Sequence, residues 1–266
     1  MKVIQNVSYL GEDRAEKLDL YLPTDKTQQR RPAIVIVHGG GWHGGDKAAK
    51  REQNLGNNLA GAGYVCASIN YRLCQKSDNL AERLREVWPA NLHDCKTAVR
   101  FLRMKADDYS IDPDHIGAIG GSAGGHLVAM LAVTGAESKL DPPGPYAEYS
   151  CQVQAVVPMY GVHDVLAQAR LKGNSLTESD EALCRNASPV TWVTKDAPPA
   201  LILHGTKDAL VPVSQSHVLH ETLTKAKTSS DLIVIEGAPH SFHLQPKQRD
   251  LRPAVIEFFD RHLKPR

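Results

Sequence analysis

Hydrophobic residues along the chain recur in short patterns that predict a series of strands. Residues 17–22 alternate between polar and apolar, which is typical of a half-buried strand, and we expect this strand at an antiparallel edge of a sheet. The following patterns are continuous apolar runs bounded by Gly or Pro, which favour strands buried on both faces of a parallel sheet. These runs are Ala33 to Val37, Tyr64 to Ile69, His115 to Ile119, Val153 to Val157, Ala200 to Leu203 and Leu232 to Ile235.

The segments between these runs show helical periodicity. One segment has apolar residues on one side and basic residues on the other, which predicts an amphipathic helix. Its apolar positions are Leu92, Cys95, Val99 and Leu102, and its basic positions are Lys96, Arg100 and Arg103. Residues 126–133 are apolar almost all round and predict a helix packed inside the protein, and residues 251–259 predict a last amphipathic helix.

Strands and helices that alternate over the whole chain predict an α/β fold with a doubly wound, mostly parallel sheet and helices on both faces. The length suits one domain, and no linker or internal repeat divides residues 1–266. Two stretches, 136–150 and 171–187, lack a regular pattern, and we expect them to form lid or pocket-wall loops.

A G-x-S-x-G motif, Gly120 to Gly124, follows one predicted strand directly and precedes the buried helix. Acyl transfer needs a hydroxyl presented on a sharp strand-to-helix turn, where small neighbours are required because the backbone is tightly approached. The motif therefore predicts Ser122 as a nucleophile. Taken alone, the same five-residue pattern also arises in glycine-rich turns.

A second glycine-rich motif, His38 to Trp42, follows the strand that ends at Val37. When a nucleophile attacks an ester, negative charge develops on the carbonyl oxygen, and backbone N–H groups can stabilise it. We expect the N–H groups of Gly40, Gly41 and Ala123 to form this oxyanion hole. The alternative, a phosphate-binding loop, is disfavoured because neither G-x-x-x-x-G-K-[ST] nor G-x-G-x-x-G occurs.

A histidine late in the chain is needed as the base, and His240 follows the last predicted strand. His243 is the competing candidate. The two histidines could form an HxxH metal pair, but no third ligand has suitable spacing, so neither a metal nor another cofactor is predicted.

The acid that orients the base is predicted to be Asp208, which follows the strand Ala200 to Leu203. Its place between Ser122 and His240 reproduces the order nucleophile, acid, histidine. Asp164 and Glu236 are rival carboxylates, although turn or cap roles suit both better.

Aromatic residues near these motifs are candidate substrate contacts. Trp42 adjoins the oxyanion motif, and Tyr160 and Trp192 are weaker candidates. A buried aromatic residue is as typical of a core as of a pocket wall. His126 and His204 are interpreted as structural histidines.

Composition narrows the classes of partner and compartment. The 31 basic and 30 acidic residues leave a formal charge of +1, which disfavours nucleic acid and anionic membranes as partners. No apolar stretch is long enough for a membrane span, so the chain as given is expected to be soluble: cytoplasmic, or secreted or periplasmic if a leader was removed. The five scattered cysteines predict mostly reduced thiols, with Cys151 to Cys184 as the one plausible bridge. The oligomeric state is left open.

Four motifs together resemble a known family. They are HGGGW followed by Gly45-Asp46-Lys47, then Asn70-Tyr71-Arg72, then GGSAGGH around Ser122, and HGTKD ending at Asp208. Over roughly Lys17 to Leu263 the chain resembles α/β-hydrolase esterases of the hormone-sensitive-lipase-like group, and is similar to bacterial feruloyl and acetyl-xylan type esterases. The resemblance implies cofactor-free hydrolysis of short-chain or aromatic acyl esters through an acyl-enzyme, often on acylated plant polysaccharide fragments.

The substrate is predicted less sharply than the chemistry, because His43 and residues 171–187 depart from the family's pattern. Small-molecule or oligosaccharide esters are expected. One alternative is an amidase or peptidase such as an arylformamidase, although that group has an aromatic residue at the position of Gly41. Another is a non-catalytic binding protein on a hydrolase scaffold, a class that typically loses a residue of the triad.

Overall fold

Eight strands form one sheet in the computed structural model, within the residues that it describes, which are 1–25, 29–135 and 138–264. The strands are β1 (Lys2–Ser8), β2 (Lys17–Leu22), β3 (Arg31–Val37), β4 (Val65–Ile69), β5 (Ile111–Gly121), β6 (Ala155–Met159), β7 (Ala200–Gly205) and β8 (Ser230–Ile235). Their order across the sheet is β1-β2-β4-β3-β5-β6-β7-β8. β1 and β2 run antiparallel to their neighbours, and all other adjacent pairs are parallel. The predicted α/β fold is confirmed.

The two edges of the sheet differ from the sequence-based prediction. β2 was expected at the antiparallel edge, but β1 lies outside it and pairs with it. β1 gives little hydrophobic signal because all of its residues are exposed or half-buried. β8 was expected to be buried on both faces, yet as the other edge strand it leaves Val234 38% exposed.

Helices cover both faces of the sheet. They are α1 (Lys50–Gly61), α2 (Leu80–Val87), α3 (Ala90–Met104), α4 (Ala123–Val133), α5 (Val165–Leu171), α6 (Glu178–Asn186), α7 (Ser214–Lys225) and α8 (Arg252–Leu263). α1 and α8 pack on one face through Leu55, Leu59 and Phe259. The other helices pack on the opposite face, where α4 lies at the centre with nearly every residue buried, as its apolar composition predicts.

The basic side of α3, predicted as the polar side of an amphipathic helix, is largely buried. Lys96 is fully buried, and its Nζ atom lies 2.6 Å from both the Thr134 carbonyl oxygen and an Asp141 carboxylate oxygen. Arg100 is also buried and donates to the Pro142 carbonyl at 2.7 Å. A buried cation must be paired, so these contacts anchor the segment after α4 against α3.

The two predicted loops have different outcomes. Part of the 136–150 prediction, residues 136 and 137, lies outside the described residues. The stretch 171–187 is not irregular, because it contains α6. Thr177 and Asp180 form a capping box at the start of this helix, in which each side chain accepts a hydrogen bond from the backbone of the other.

The five cysteines are all free thiols. The Cys151 to Cys184 bridge is therefore not formed, and the Cys151 thiol instead lies 3.2 Å from Oδ1 of Asp141. Across the described ranges, no helix combines the length and apolar character that crossing a bilayer requires.

Candidate active site

The candidate nucleophile Ser122 lies between β5 and α4, at the carboxyl edge of the parallel strands. Its backbone has φ +58° and ψ −120°, a conformation that non-glycine residues rarely adopt. The turn is tight because α4 approaches β3: a Cβ atom on Gly120 would lie 2.6 Å, and one on Gly124 2.0 Å, from the Val37 carbonyl oxygen. The small residues of the motif thus allow the close approach that presents the serine.

A chain of hydrogen bonds joins the three predicted catalytic side chains. Nε2 of His240 lies 2.9 Å from Oγ of Ser122, and Nδ1 of His240 lies 2.6 Å from Oδ2 of Asp208. The Asp208 side chain is 1% exposed and that of His240 is 11% exposed, so this series of hydrogen bonds runs from the protein interior to Ser122. This arrangement can transfer the serine proton to the histidine.

The Asp208 carboxylate is held by hydrogen bonds on both oxygens. The backbone N–H groups of Leu210 and Val211 donate to Oδ1, each at 2.9 Å. Burial by itself raises the pKa of this carboxyl, but hydrogen bonds from His204, from His240 and from the Val211 backbone hold the pKa well below its usual range. Asp208 therefore stays ionised near neutral pH.

The rival residues do not take part in this chain. The side chain of Asp164 caps α5 by accepting from the Ala167 N–H at 2.9 Å. Glu236 is exposed, and His243 is exposed and accepts from the backbone of Gln245. Within the described ranges, no group of three or more His, Cys, Asp or Glu side chains could hold a metal ion.

The predicted oxyanion loop borders the same cavity as Ser122. Gly40 and Gly41 both have positive φ, +120° and +60°, and a Cβ atom on Gly40 would lie 2.1 Å from the Gly44 carbonyl oxygen. Only glycine suits this turn, which is closed by a 3.0 Å bond from the Gly44 N–H to the Gly40 carbonyl. Ala123 is the first residue of α4, so its N–H has no acceptor within the helix.

The cavity has a volume of about 750 Å³ and a mixed lining. Its larger apolar side chains are Trp42, Leu80, Val162, Leu210 and Val211. Its polar side chains, apart from those of Ser122 and His240, are His43, Asp78, Arg83, Gln168, Lys172 and Ser241. An ester with both an apolar and a polar part would suit this lining.

Trp42 lies at the cavity as predicted, and a histidine sets its orientation. The indole N–H of Trp42 donates to Nδ1 of His126 at 3.2 Å, while Nε2 of His126 lies 2.7 Å from the Ala187 carbonyl oxygen. Burial lowers the pKa of His126 to about 4, so the ring is neutral. His126 thereby links the oxyanion loop to the residue that follows α6.

The other two predicted substrate contacts do not line this cavity. Tyr160 is fully buried, with its ring 4.9 Å from that of His240 and its hydroxyl donating to the Phe242 carbonyl at 2.6 Å. Trp192 borders a different cavity, because its indole N–H is held by the Asn186 carbonyl at the end of α6. Both predictions are corrected: Tyr160 packs behind His240, and Trp192 lies elsewhere on the surface.

Several cavity residues escaped the sequence analysis, above all Arg83 of α2 and Gln168 of α5. Arg83 donates from Nη1 to the Gly41 carbonyl at 3.1 Å and from Nε to the Ser77 carbonyl. The Asn79 cap and the spacing of Leu80 and Leu84 could have predicted α2, but no local signal says which way Arg83 points. Lys172 also lines the cavity, within the predicted pocket-wall stretch 171–187, whereas none of the described residues 138–150 does.

Replacing Arg83 with Met is expected to lower kcat by about tenfold, because the Gly41 carbonyl loses a charged donor, a type of bond that contributes about 1.5 to 3 kcal/mol. Steady-state kinetics on a short-chain ester measures this effect. Arg261→Met removes an exposed arginine from α8 and serves as the matched control. A raised KM with unchanged kcat would show that Arg83 contacts the substrate without supporting the oxyanion loop.

Comparisons with known proteins give a family match and several esterase relatives. The profile of the BD-FAE family matches residues 18–223. The probable carboxylic ester hydrolase LipM of Mycobacterium tuberculosis is 31% identical over 94% of this chain and 58% of its own length. Esterases LipC and LipQ of the same organism are each 31% identical, and the chain spans about three fifths of the length of these curated relatives.

Solved structures superpose over nearly the whole chain. A truncated carbohydrate esterase from gut microbiota has a TM-score of 0.83 and 27% identity, covering 98% of this chain and 96% of that protein. Esterase 2 of Thermogutta terrifontis, phosphorylated by paraoxon, has a TM-score of 0.75 and 28% identity, with the same coverage of 98% and 96%. The α/β-hydrolase fold is therefore shared with esterases.

Proposed function

The chain belongs to the BD-FAE family, and from this premise we propose that it hydrolyses carboxylic esters through a covalent acyl-enzyme on Ser122. The observation that carries the proposal is the position of His240, 2.9 Å from Oγ of Ser122 and 2.6 Å from Asp208. The base thus lies within hydrogen-bonding distance of both the nucleophile and the acid, as acyl transfer requires.

In the proposed reaction, Oγ of Ser122 attacks the ester carbonyl carbon while its proton moves to Nε2 of His240. The N–H groups of Gly40, Gly41 and Ala123 stabilise the negative charge that develops on the carbonyl oxygen. Protonated His240 then donates its proton to the leaving alcohol. Water attacks the acyl-enzyme with the same proton transfers and releases the acid.

Asp208 has two tasks in this cycle. It accepts from Nδ1 of His240 and so directs Nε2 towards the serine, and its negative charge stabilises the imidazolium that forms during the attack. Tyr160, packed against the His240 ring, restricts that ring from the other side.

We propose acetyl and feruloyl esters of plant polysaccharide fragments as the substrate class. Trp42, Val162 and Val211 offer an apolar surface for a short or aromatic acyl group, while Gln168 and Lys172 offer hydrogen bonds to the hydroxyl groups of a sugar. The structural similarity to a carbohydrate esterase at 27% identity supports this choice.

The substrate proposal predicts that kcat/KM for acetyl and feruloyl esters, including acetylated xylo-oligosaccharide, exceeds that for octanoyl esters by about tenfold or more. A physical reason is that a long alkyl chain would displace water from polar groups of the cavity without replacing their hydrogen bonds. Initial rates for acetyl, butyryl, octanoyl and feruloyl esters, with Ser122→Ala as the blank, measure the preference. Higher kcat/KM on octanoyl esters would instead indicate a general carboxylesterase.

Two further measurements address the alternative functions. A matched pair of acyl ester and acyl amide tests the bond type, and faster cleavage of the amide would replace the esterase proposal with an amidase. A fluorophosphonate that labels Ser122 covalently tests for a reactive nucleophile. Absence of labelling would favour a binding protein on this scaffold.

A further inference from the structure

A second histidine contacts the carboxylate that holds His240. His204 lies at the end of β7 and is fully buried. Its Nε2 atom lies 3.2 Å from Oδ2 of Asp208, the oxygen that also accepts from His240, and 2.9 Å from the Val211 carbonyl oxygen. From the sequence, His204 was interpreted only as a structural histidine.

The surroundings of His204 determine which nitrogen carries the proton. Nε2 faces a carboxylate and a carbonyl oxygen, which are both acceptors, so Nε2 must be the donor. Nδ1 lies 2.7 Å from Oγ of Ser216, a hydroxyl that can donate to it. Ser216 therefore stabilises the tautomer in which Nε2–H points at Asp208.

Two further titratable groups near His204 and Asp208, His163 and Tyr160, are neutral around neutral pH. His163 is fully buried, and burial lowers its pKa well below the usual value. Tyr160 directly follows β6, and burial raises its pKa to about 12. The charged Nη1 group of Arg51 lies 3.4 Å from its hydroxyl. His163 and Tyr160 therefore add no charge next to Asp208. The positive charge that the Asp208 carboxylate balances is the one that His240 acquires during the reaction.

Building on the proposed function, we propose that His204 is a positioning residue that sets the orientation and the basicity of Asp208. Backbone N–H groups hold Oδ1 of Asp208, and His204 and His240 share Oδ2. The bond from His204 withdraws negative charge from Oδ2 and prevents the carboxylate from rotating. Without this bond, Asp208 would attract the His240 proton more strongly in the resting enzyme.

The sign of the effect follows from the role of His240, which must be neutral to accept the serine proton. A more basic Asp208 stabilises the protonated form of His240. The acidic limb of the pH profile, on which kcat/KM falls as the pH is lowered, therefore moves to higher pH. In His204→Leu we expect this limb to rise by about half a pH unit. We also expect kcat to fall by about tenfold, because the carboxylate that orients His240 is then free to rotate. His204→Gln restores an amide donor near the position of Nε2, and we expect it to return the limb towards that of the unchanged protein.

The experiment measures kcat/KM from about pH 5 to about pH 9 on an acetyl ester. It uses the full chain and four variants: His204→Leu, His204→Gln, Ser216→Ala and the control His220→Leu. His220 makes the same kind of contact, with Nδ1 2.9 Å from Oγ of Ser230, on α7 away from the cavity. His220→Leu should therefore leave the acidic limb of the pH profile unchanged. Ser216→Ala should shift the limb in the same direction as His204→Leu, but less, because the Nε2–H tautomer is no longer enforced.

A second readout does not depend on turnover. NMR titration of the His240 ring should show its midpoint moving to higher pH in His204→Leu and Ser216→Ala, and not in His220→Leu.

Failure of the unchanged protein to hydrolyse esters or to label at Ser122 would refute the proposed function and leave this titration as the test of His204. An unmoved midpoint and limb in Ser216→Ala, together with a His204→Gln variant no better than His204→Leu, would overturn the positioning role. If His204→Leu does not fold, Ser216→Ala and His204→Gln decide the question.

Discussion

Ser122→Ala should lower kcat for ester hydrolysis by about 10⁵-fold while the protein remains folded. Without Oγ, the proposed acyl-enzyme cannot form and His240 has no proton to accept. The small residue left in place retains the tight turn between β5 and α4, and nothing in the core changes because Ser122 borders the cavity. Active-site titration, steady-state kinetics and thermal unfolding together measure this result.

Ser229→Ala is the matched control for the nucleophile. Ser229 is exposed and precedes β8, at the opposite end of the sheet from the catalytic residues, so its removal should leave kcat and the melting temperature unchanged. Residual activity of Ser122→Ala above about 1% of the original, well beyond what binding and an oxyanion hole retain, would mean that another group is the nucleophile.

Gly124→Ala should produce a large loss of stability. The new Cβ atom would lie 2.0 Å from the Val37 carbonyl oxygen and 2.6 Å from that of His38, and both neighbours are backbone atoms. α4 must therefore move away from β3, at a cost of about 3 kcal/mol. This corresponds to a drop in melting temperature of about 6 to 12 °C for a domain of this size.

The same shift should reduce turnover by about 100-fold, because it moves Ser122 and Ala123 relative to Gly40 and Gly41. Thermal unfolding and kinetics on one ester check both effects. Gly61→Ala is the control, since its Cβ atom meets nothing within 4 Å at the end of α1 and should change the free energy of unfolding by less than about 1 kcal/mol. A Gly124→Ala protein that melts within about 2 °C of the original would show that α4 can adapt without strain.

Local patterns along the chain predicted most of the sheet, because parallel strands buried on both faces need continuous apolar runs. β1 was missed since an edge strand needs no such run. α6 was missed because it is short and largely exposed, although the Thr177 capping box was a usable local signal. The burial of Lys96 and Arg100 was not predictable from α3 alone, since a basic face is solvated only if no later segment covers it.

The candidate site shows the same division. The motif around Ser122, the glycines 40 and 41, and the order of Asp208 and His240 were all evident in the sequence, because each lies just after a strand of a parallel sheet. Among the pocket residues, Trp42 was predicted, whereas Arg83 and Gln168 were not. Tyr160 and Trp192 were plausible as aromatic residues, but their side chains are held by Phe242 and Asn186, away from the cavity.

The sequence by itself thus determined most of the central strands, the identity of the nucleophile, base and acid candidates, and the glycines that the tight turns require. These features depend on backbone conformation and periodicity, which act over a few residues. Only the tertiary structure decided which side chains face the cavity. The decisive contacts, His240 with Ser122 and Arg83 with Gly41, join residues 118 and 42 positions apart, and such contacts exist only after the helices have packed on the sheet.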